Sequence, residues 1–364
     1  MVDKGQVPEV DDVDDDSAQD EHVAPVRYNI TSFGVDFDVE GAVRRLMRGD
    51  IRVPDFQRSY VWSQAEASRL VESLLLGLPV PGVFLSSEPD TKELLVIDGQ
   101  QRLRSLEFFY KGEFNASEGS NTIRKFRLLK VQPHLEGKTY EDLSEEERRT
   151  LDNSVIHATV VKQESPENDD TGMYHIFERL NTGGRKLVPQ EIRSAIYHGS
   201  LIDLLKRLNK NEKWREIFGP PSSRLKDQEL ILRFLAFQDG WEGYAAPMSE
   251  FLSKYAHQQR HISGDAATKL GEVFEKSVDI VYEALGSRAF KIVRALNAAV
   301  FDSVMVALAK KIRIGEVVDS EEVKSAYAAL MEDETYKAAV SRGTANEKSV
   351  ELRMRLAQDY LLLA

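Results

Sequence analysis

The stretch from Leu94 to Leu103 joins a strongly apolar strand to a helix through a two-residue turn. The uninterrupted aliphatic run Leu94-Leu95-Val96-Ile97 predicts a buried strand, and the pair Asp98-Gly99 is a turn signal. A helix that begins directly after such a turn leaves backbone N–H groups unpaired at its N-terminus, where the helix dipole also favours negative charge. The sequence therefore predicts an anion site, suited to phosphate, at this corner.

The side chains that follow the turn are suited to phosphate chemistry. Arg102 carries a permanently charged, planar guanidinium that matches phosphate oxygens. Gln100 and Gln101 are candidates to orient a water molecule or a metal-bound oxygen, and Asp98 is a candidate carboxylate for Mg²⁺. The residues alone leave two other interpretations open. Gln-Gln-Arg also suits the exposed first turn of an ordinary helix, and Asp98 also suits a turn residue that closes the corner.

A second cluster repeats the glutamine–arginine pair beside aromatic rings, in Phe56-Gln57-Arg58-Ser59-Tyr60-Val61-Trp62. Because a phosphate chain presents several oxygens, we expect Gln57 and Arg58 to lie within reach of the turn and to share the anion. Tyr60 or Trp62 would then pack against a nucleobase. Packing of these rings in the protein core is the alternative, since buried aromatic residues are common.

Four motifs in order resemble the DGQQR family, which includes the ParB-like N-terminal domain of GmrSD-type and SspE-type restriction proteins. The matching residues lie between about Asn29 and Gly199, with a weaker continuation beyond. They are Phe56-Gln57-Arg58-x-Tyr60-x-Trp62, Ile97-Asp98-Gly99-Gln100-Gln101-Arg102-Leu103, Phe177-Glu178-Arg179-Leu180-Asn181-Thr182-Gly183-Gly184 and Leu187-x-x-x-Glu191-Ile192-Arg193.

The resemblance implies a ParB/sulfiredoxin-like α/β core that binds nucleoside triphosphates, ATP or GTP, and often hydrolyses them with Mg²⁺. It also implies a part in defence against phage or other foreign DNA. Within the third motif it places Asn181 in the nucleotide site, with Arg179 or Arg185 as second choices near phosphate. From the residues alone, the glycines after Asn181 suit a plain helix C-cap better than a ligand site.

The chain departs from the family where some members carry an HNH nuclease. His257 and His261 are the only closely spaced histidines, and no asparagine or second histidine cluster follows them. Two histidines four residues apart on a helix share a face, but the companions of a zinc site are missing. We interpret the pair as solvated helix surface, so that DNA cutting would need a partner protein or an unrecognised nuclease activity of this domain.

Hydrophobic periodicity predicts an α+β protein in which a mixed α/β core is followed by an all-α domain. The predicted division is an acidic leader over 1–26, a nucleotide-binding domain over 27–199 and a helical domain over 200–364. Predicted strands cover 51–53, 83–86, 93–97, 126–131 and 155–161. In the core, predicted helices cover 39–48 and 100–111, and capping boxes open two more at Ser63 and Ser144. Further helices are predicted over 190–197, 200–209, 225–238, 248–257, 266–285, 289–313, 320–331 and 346–363.

Charge is distributed unevenly along the 364 residues. The first 26 residues carry nine acidic side chains against Lys4, a balance of −8 within the net charge of −12. This leader is expected to be disordered, either as a solvated tail or as a mimic of nucleic acid that shields a basic groove. The remaining −4 leaves DNA binding open. The candidate contacts are basic residues of the helical domain, although a solvated helix face is the favoured interpretation of them: Lys291, Arg294, Lys310, Lys311 and Arg313.

The chain has no cysteine, no apolar run long enough for a membrane span and no signal peptide, so a cytoplasmic protein is expected. The sequence predicts an NTP-hydrolysing component of a restriction or anti-phage system that contacts DNA, which is modified in some such systems. The nuclease would be a separate subunit, and homo-oligomerisation stays open. Two alternatives remain: a nucleotide-gated DNA-binding module without turnover, and a purely structural subunit.

Overall fold

The computed structural model describes residues 13–14, 29–54, 60–87, 92–114, 124–165, 171–180, 187–292 and 295–362. The chain forms two compact units. One consists of residues 27–187, and the other joins residues 188–364 to residues 1–26. The first is mixed α/β and the second is almost entirely helical, which confirms the predicted fold class.

The strands of the described residues are β1 Val13–Asp14, β2 Asn29–Asp38, β3 Ile51–Arg52, β4 Val83–Ser87, β5 Leu94–Asp98, β6 Glu113–Phe114, β7 Arg124–Lys125, β8 Val155–Ser165 and β9 Leu296–Asn297. The helices of the α/β unit are α1 Val39–Arg48, α2 Gln64–Leu75, α3 Gln100–Lys111, α4 Glu145–Asp152 and α5 Thr171–Leu180. The helices of the helical unit are α6 Pro189–Ile196, α7 Ser200–Leu208, α8 Glu212–Phe218, α9 Lys226–Gly240, α10 Met248–Gln258, α11 Gly264–Leu285, α12 Ala298–Arg313, α13 Ser320–Glu332, α14 Glu334–Ala339 and α15 Glu347–Leu362.

A five-stranded mixed sheet with the strand order β2-β8-β4-β5-β3 forms the frame of the α/β unit. β2 and β8 pair in antiparallel register along their length, β4 lies parallel to β8, and β5 is antiparallel to β4. The apolar side chains of β4 and β5 pack in one core with those of α1, α2 and α3. This places β5, the strand that leads into the predicted anion site, in the interior of the sheet between β4 and β3.

Both predicted capping boxes are present and begin α2 and α4. At α2, the Ser63 hydroxyl accepts a bond from the Glu66 N–H, and the Glu66 carboxylate accepts one from the Ser63 N–H. Ser144 and Glu147 form the same reciprocal pair at α4. Such boxes satisfy two backbone donors that a helix N-terminus otherwise leaves unpaired.

Two features of the α/β unit differ from the sequence prediction. The prediction of a strand over 126–131 is wrong. The Leu128 N–H donates to the Lys138 carbonyl, the Leu128 carbonyl accepts from the Gly137 N–H, and Lys130 has a positive φ of 57°. The alternating apolar residues of this segment are buried without joining a sheet. The long strand β2 was not predicted, although Phe33, Val35 and Phe37 alternate with polar or small residues in its second half; most of its residues are exposed.

The helical unit follows the predicted helices closely except near residue 290. The helix expected over 289–313 starts only at Ala298, where the Asn297 side chain accepts a bond from the Val300 N–H at 3.0 Å. Phe290 has a positive φ of 64°, which a helix cannot contain. The short helices α8 and α14 were not predicted. No helix of the described residues is long and apolar enough to cross a membrane.

The leader is described only at Val13–Asp14, and the rest of this predicted disordered segment lies outside the described residues. These two residues form β1, which pairs in parallel with β9 at Leu296–Asn297. The helix α6 also belongs to the helical unit, although the predicted boundary at residue 199 placed it in the α/β domain.

A fully buried ion cluster lies at the centre of the helical unit. Asp302 on α12 accepts two bonds from the Arg233 guanidinium of α9, at 3.1 and 2.6 Å, and one from Arg353 of α15 at 3.3 Å. All three side chains are at most 1% exposed. A buried charge is tolerated only when it is paired and hydrogen-bonded, and here one carboxylate pairs with two guanidinium groups.

We expect Asp302→Asn to destabilise the helical unit by roughly 3 to 5 kcal/mol, because the buried Arg233 and Arg353 guanidinium groups lose their ion pairs with this carboxylate. Urea unfolding monitored by circular dichroism measures the loss. Glu351→Gln is the control, since Glu351 pairs with Arg355 on the surface of α15 and its loss should have little effect. Similar stability of the two variants would contradict a structural role for the cluster.

Candidate functional site

The predicted strand–turn–helix corner is present in the α/β unit. Leu95, Val96 and Ile97 of β5 are at most 2% exposed, and the strand ends at Asp98. Gly99 then reverses the chain with a φ of +100°, and α3 begins at the next residue. The aliphatic residues form the strand because both of its faces are covered, and the glycine allows the sharp exit.

Only glycine fits at position 99. A Cβ atom there would lie 2.4 Å from Cγ1 of Val83 on the neighbouring strand and 3.1 Å from Nη2 of Arg102. The backbone also has the left-handed conformation that side-chain-bearing residues rarely adopt. The close approach between this turn and β4 therefore sets where α3 starts.

Arg102 and Asp98 form an ion pair across the corner. The Arg102 Nη2 atom donates to Oδ2 of Asp98 at 3.0 Å, and the two side chains are 17% and 45% exposed. The buried Nε atom of Arg102 has no hydrogen-bond partner among the described residues. The pair fixes the direction of the guanidinium and leaves part of its donor capacity unused.

The N-terminus of α3 has no side-chain cap. Gly99 occupies the N-cap position and has no side chain to accept a bond, and the first turn contains no acidic residue. The Gly99 carbonyl accepts the first helical bond, from the Leu103 N–H at 3.0 Å. Gln100, the first residue of the helix, is half-buried. An uncapped N-terminus with a guanidinium one turn along is chemically suited to an anion.

The Gln101 side chain bonds to a neighbouring segment of the chain. Its Oε1 atom accepts hydrogen bonds from the backbone N–H groups of Val61 and Trp62, at 3.0 and 3.3 Å. This carbonyl oxygen therefore holds residues 61–62 against the start of α3. The structure gives Gln101 a positioning role, which the sequence did not suggest.

Tyr60 lies in the core, as one of the two sequence-based interpretations had it. Its side chain is 6% exposed, its hydroxyl bonds to Oγ of Ser105 at 2.7 Å, and its ring meets Phe108 and Phe114 edge-on at centroid distances of 4.9 and 5.6 Å. Burial raises the pKa of Tyr60 to about 12. Trp62 is half-buried beside the same core, so of the two rings it is the more accessible.

Several predicted site residues lie outside the described residues: Gln57, Arg58, Asn181 and Arg185. Their approach to the corner therefore stays a prediction. The described residue Tyr60, two positions after Arg58, is bonded to α3, so the second motif leads directly to the first. Arg179, a second choice in the sequence, is an exposed residue in the last turn of α5.

Among the described residues, no three His, Cys, Asp or Glu side chains come together as they would in a metal site. His257 belongs to α10, where its ring meets Tyr197 at 6.0 Å, whereas His261 lies beyond the end of that helix and is exposed. At the corner, Asp98 offers a single carboxylate. This fits Mg²⁺ bound mainly through phosphate oxygens and water, as is usual in nucleotide sites.

The segment that contains this corner is similar to a domain of restriction proteins. Residues 40–198 match the family model described as GmrSD restriction endonuclease, N-terminal domain. The match supports a GmrSD-type restriction-protein N-terminal domain in this segment and confirms the resemblance carried by the four motifs. The match covers α1 to α6 and β3 to β8.

A more distant relative is an uncharacterized protein of Methanocaldococcus jannaschii. It is 31% identical to this chain in a region that covers 18% of this chain and 15% of the relative. The chain therefore spans about 15% of the length of that protein, and the likeness is limited to one segment.

We expect Gly99→Ala to destabilise the α/β unit more than Gly77→Ala does. Both glycines have positive φ, so each substitution costs about 1 to 2 kcal/mol of backbone strain. Only at position 99 does the new Cβ collide with Val83, which adds about 1 to 3 kcal/mol of overpacking. Urea unfolding of the two variants gives the difference. Equal losses would show that the contact with β4 does not constrain the corner.

Proposed function

We propose that the corner between β5 and α3 binds the phosphates of a nucleoside triphosphate. The observation that carries the proposal is the Arg102 guanidinium, oriented by Asp98 at the uncapped start of a helix. The helix N–H groups supply neutral donors and Arg102 supplies charge, and both favour a polyanion. Arg58 and Gln57 would add donors from the preceding motif, and Asn181 from the loop after α5.

Hydrolysis at this site is the second part of the proposal. In NTP hydrolysis, a water oxygen forms a new bond to the γ-phosphorus while the bond to the bridging oxygen breaks, giving nucleoside diphosphate and phosphate. Gln100, the first residue of α3, is the candidate to orient that water, and Gln101 holds the neighbouring residues Val61 and Trp62 in place. Arg102 stabilises the charge on the phosphate oxygens.

Mg²⁺ supplies charge neutralisation for phosphoryl transfer when it is bound with the nucleotide. Asp98 is the residue that would hold it. Its Oδ2 atom already accepts a bond from Arg102, so among the described contacts the Oδ1 atom remains for a metal or for a metal-bound water. The Asp98–Arg102 pair would then couple the metal to the phosphate contact.

The biological setting that we propose is a restriction or anti-phage system that acts on foreign DNA. The support is the match of residues 40–198 to a restriction endonuclease domain. A separate nuclease subunit would complete the system, since the described residues contain no cluster of ligands for a catalytic metal. The same scarcity of catalytic groups favours a second candidate, a nucleotide-gated DNA-binding module without turnover.

We expect Arg102→Ala to weaken the binding of ATP or GTP roughly ten- to one-hundred-fold while the protein stays folded, because a charged phosphate contact is lost. Calorimetric titration measures affinity, and release of inorganic phosphate separates hydrolysis from gated binding. Arg104→Ala is the control, since Arg104 lies on the same helix and pairs with Glu107. Wild-type affinity in the Arg102 variant would place the phosphates elsewhere.

We also expect the purified protein alone not to nick plasmid DNA efficiently, even with Mg²⁺ and NTP. Metal-dependent nucleases need several converging ligands and a base that activates water. The assay compares modified and unmodified plasmid, with and without nucleotide. Robust nicking that Asp98→Asn abolishes would make this domain itself the nuclease.

A further inference from the structure

A cavity of about 220 Å³ opens in the helical unit, where the C-terminal end of α9 meets α12 and α15. Its wall combines apolar side chains with amide and charged groups. The residues that line it are Gln238, Asp239, Gly240, Trp241, Glu242, Val306, Ala309, Lys310, Arg313, Ile314 and Gln358.

Gln238 is the unusual residue of this wall. Both its amide nitrogen and its amide oxygen are buried, and neither has a hydrogen-bond partner among the described residues. Its backbone carbonyl, in contrast, accepts a bond from Nη1 of Arg313 at 3.1 Å. Buried amides are normally satisfied, and one that is not lowers stability unless a ligand or water pairs with it. The Gln238 amide thus presents one free donor next to one free acceptor.

The other side of the cavity is suited to a flat ring. Trp241 contributes an indole, and Val306, Ala309 and Ile314 contribute short aliphatic side chains. Aromatic and aliphatic surfaces of this kind hold a nucleobase by stacking and by excluding water. The volume is small for a drug-sized ligand, which argues for a single ring system.

The two basic residues at the cavity have different partners. Arg313 pairs with Asp239 at 3.0 Å, and Asp239 also accepts a bond from the Tyr255 hydroxyl at 2.8 Å. The Lys310 ammonium instead donates to the neutral Oε1 atom of Gln358 at 2.7 Å, and no carboxylate pairs with it among the described residues. Lys310 is exposed and supplies a positive charge beside the cavity, whose wall also contains the carboxylate of Glu242.

From these features we propose that the cavity binds an unstacked nucleobase. The Gln238 amide bonds to a base edge that presents an amine beside a ring nitrogen, as adenine does, and Trp241 contacts the face of the ring. Lys310 contacts the adjoining phosphate. A free deoxynucleotide and a base extruded from DNA present the same chemistry. All of the residues involved belong to the helical unit, so the proposal does not depend on nucleotide binding at α3.

Tryptophan fluorescence of the full chain, titrated with 2′-deoxyadenosine monophosphate, tests the site. The chain has three tryptophans, and Trp241→Phe identifies the signal that comes from the cavity. We expect saturable quenching in the wild type and its loss in Trp241→Phe, with binding by calorimetry retained. Titration of Arg102→Ala should give the same quenching, which separates this site from the one at α3.

Gln238→Met and Gln228→Met form the matched pair of variants. Gln228 lies on the same helix and also has a buried amide oxygen without a partner, but it is not part of the cavity wall. We expect Gln238→Met to weaken binding at least ten-fold without loss of thermal stability, because the unsatisfied amide is removed. Gln228→Met should bind like the wild type. Lys310→Gln should weaken binding of the monophosphate and leave that of 2′-deoxyadenosine unchanged.

A DNA duplex with one unpaired adenine, compared with its fully paired counterpart, distinguishes the two sources of the base. Binding of the bulged duplex alone supports a base extruded from DNA, and binding of the monophosphate alone supports a free nucleotide. The proposal is overturned if neither ligand gives saturable quenching. It is also overturned if Gln238→Met binds like the wild type, or if the two methionine variants lose binding equally. Trp241→Ala provides a second cavity variant should Gln238→Met fail to fold.

Discussion

The close contact between Gly99 and Val83 is the constraint on which the α/β unit depends. A strand buried between two neighbours must leave the sheet within one residue, and only a backbone with positive φ and no Cβ can do so against β4. The start of α3 is therefore fixed relative to the sheet. Asp98 and Arg102, on either side of the turn, are brought to 3.0 Å by the same geometry.

The corner also organises the chain that precedes α2. Gln101 bonds to the backbone of Val61 and Trp62, and Tyr60 bonds to Ser105 one turn further along α3. The capping box at Ser63 then begins α2 directly after these contacts. Two motifs that are far apart in sequence thus meet at one helix N-terminus. The side chains that meet there provide both the support and the candidate chemistry of the site.

The helical unit distributes its polar groups differently. Its central carboxylate, Asp302, is fully paired, because an unpaired charge in the interior would be very costly. At the end of α9, in contrast, Gln238 is left with two unsatisfied amide atoms beside a cavity. A buried amide without a partner calls for an explanation, and at Gln238 the neighbouring cavity offers one.

The sequence by itself determined the elements whose causes are local. The capping boxes at Ser63 and Ser144, the aliphatic strand before Asp98 and most helices of the second unit follow from interactions within a few residues, and the family motifs added the class of domain. Only the tertiary structure decided that the segment 126–131 is not a strand, that α12 begins at Ala298, that Gln101 holds residues 61–62 and that Gln238 lines a cavity. These features depend on partners that are distant in sequence. A local sequence pattern cannot predict which distant residue will bond to a buried polar group.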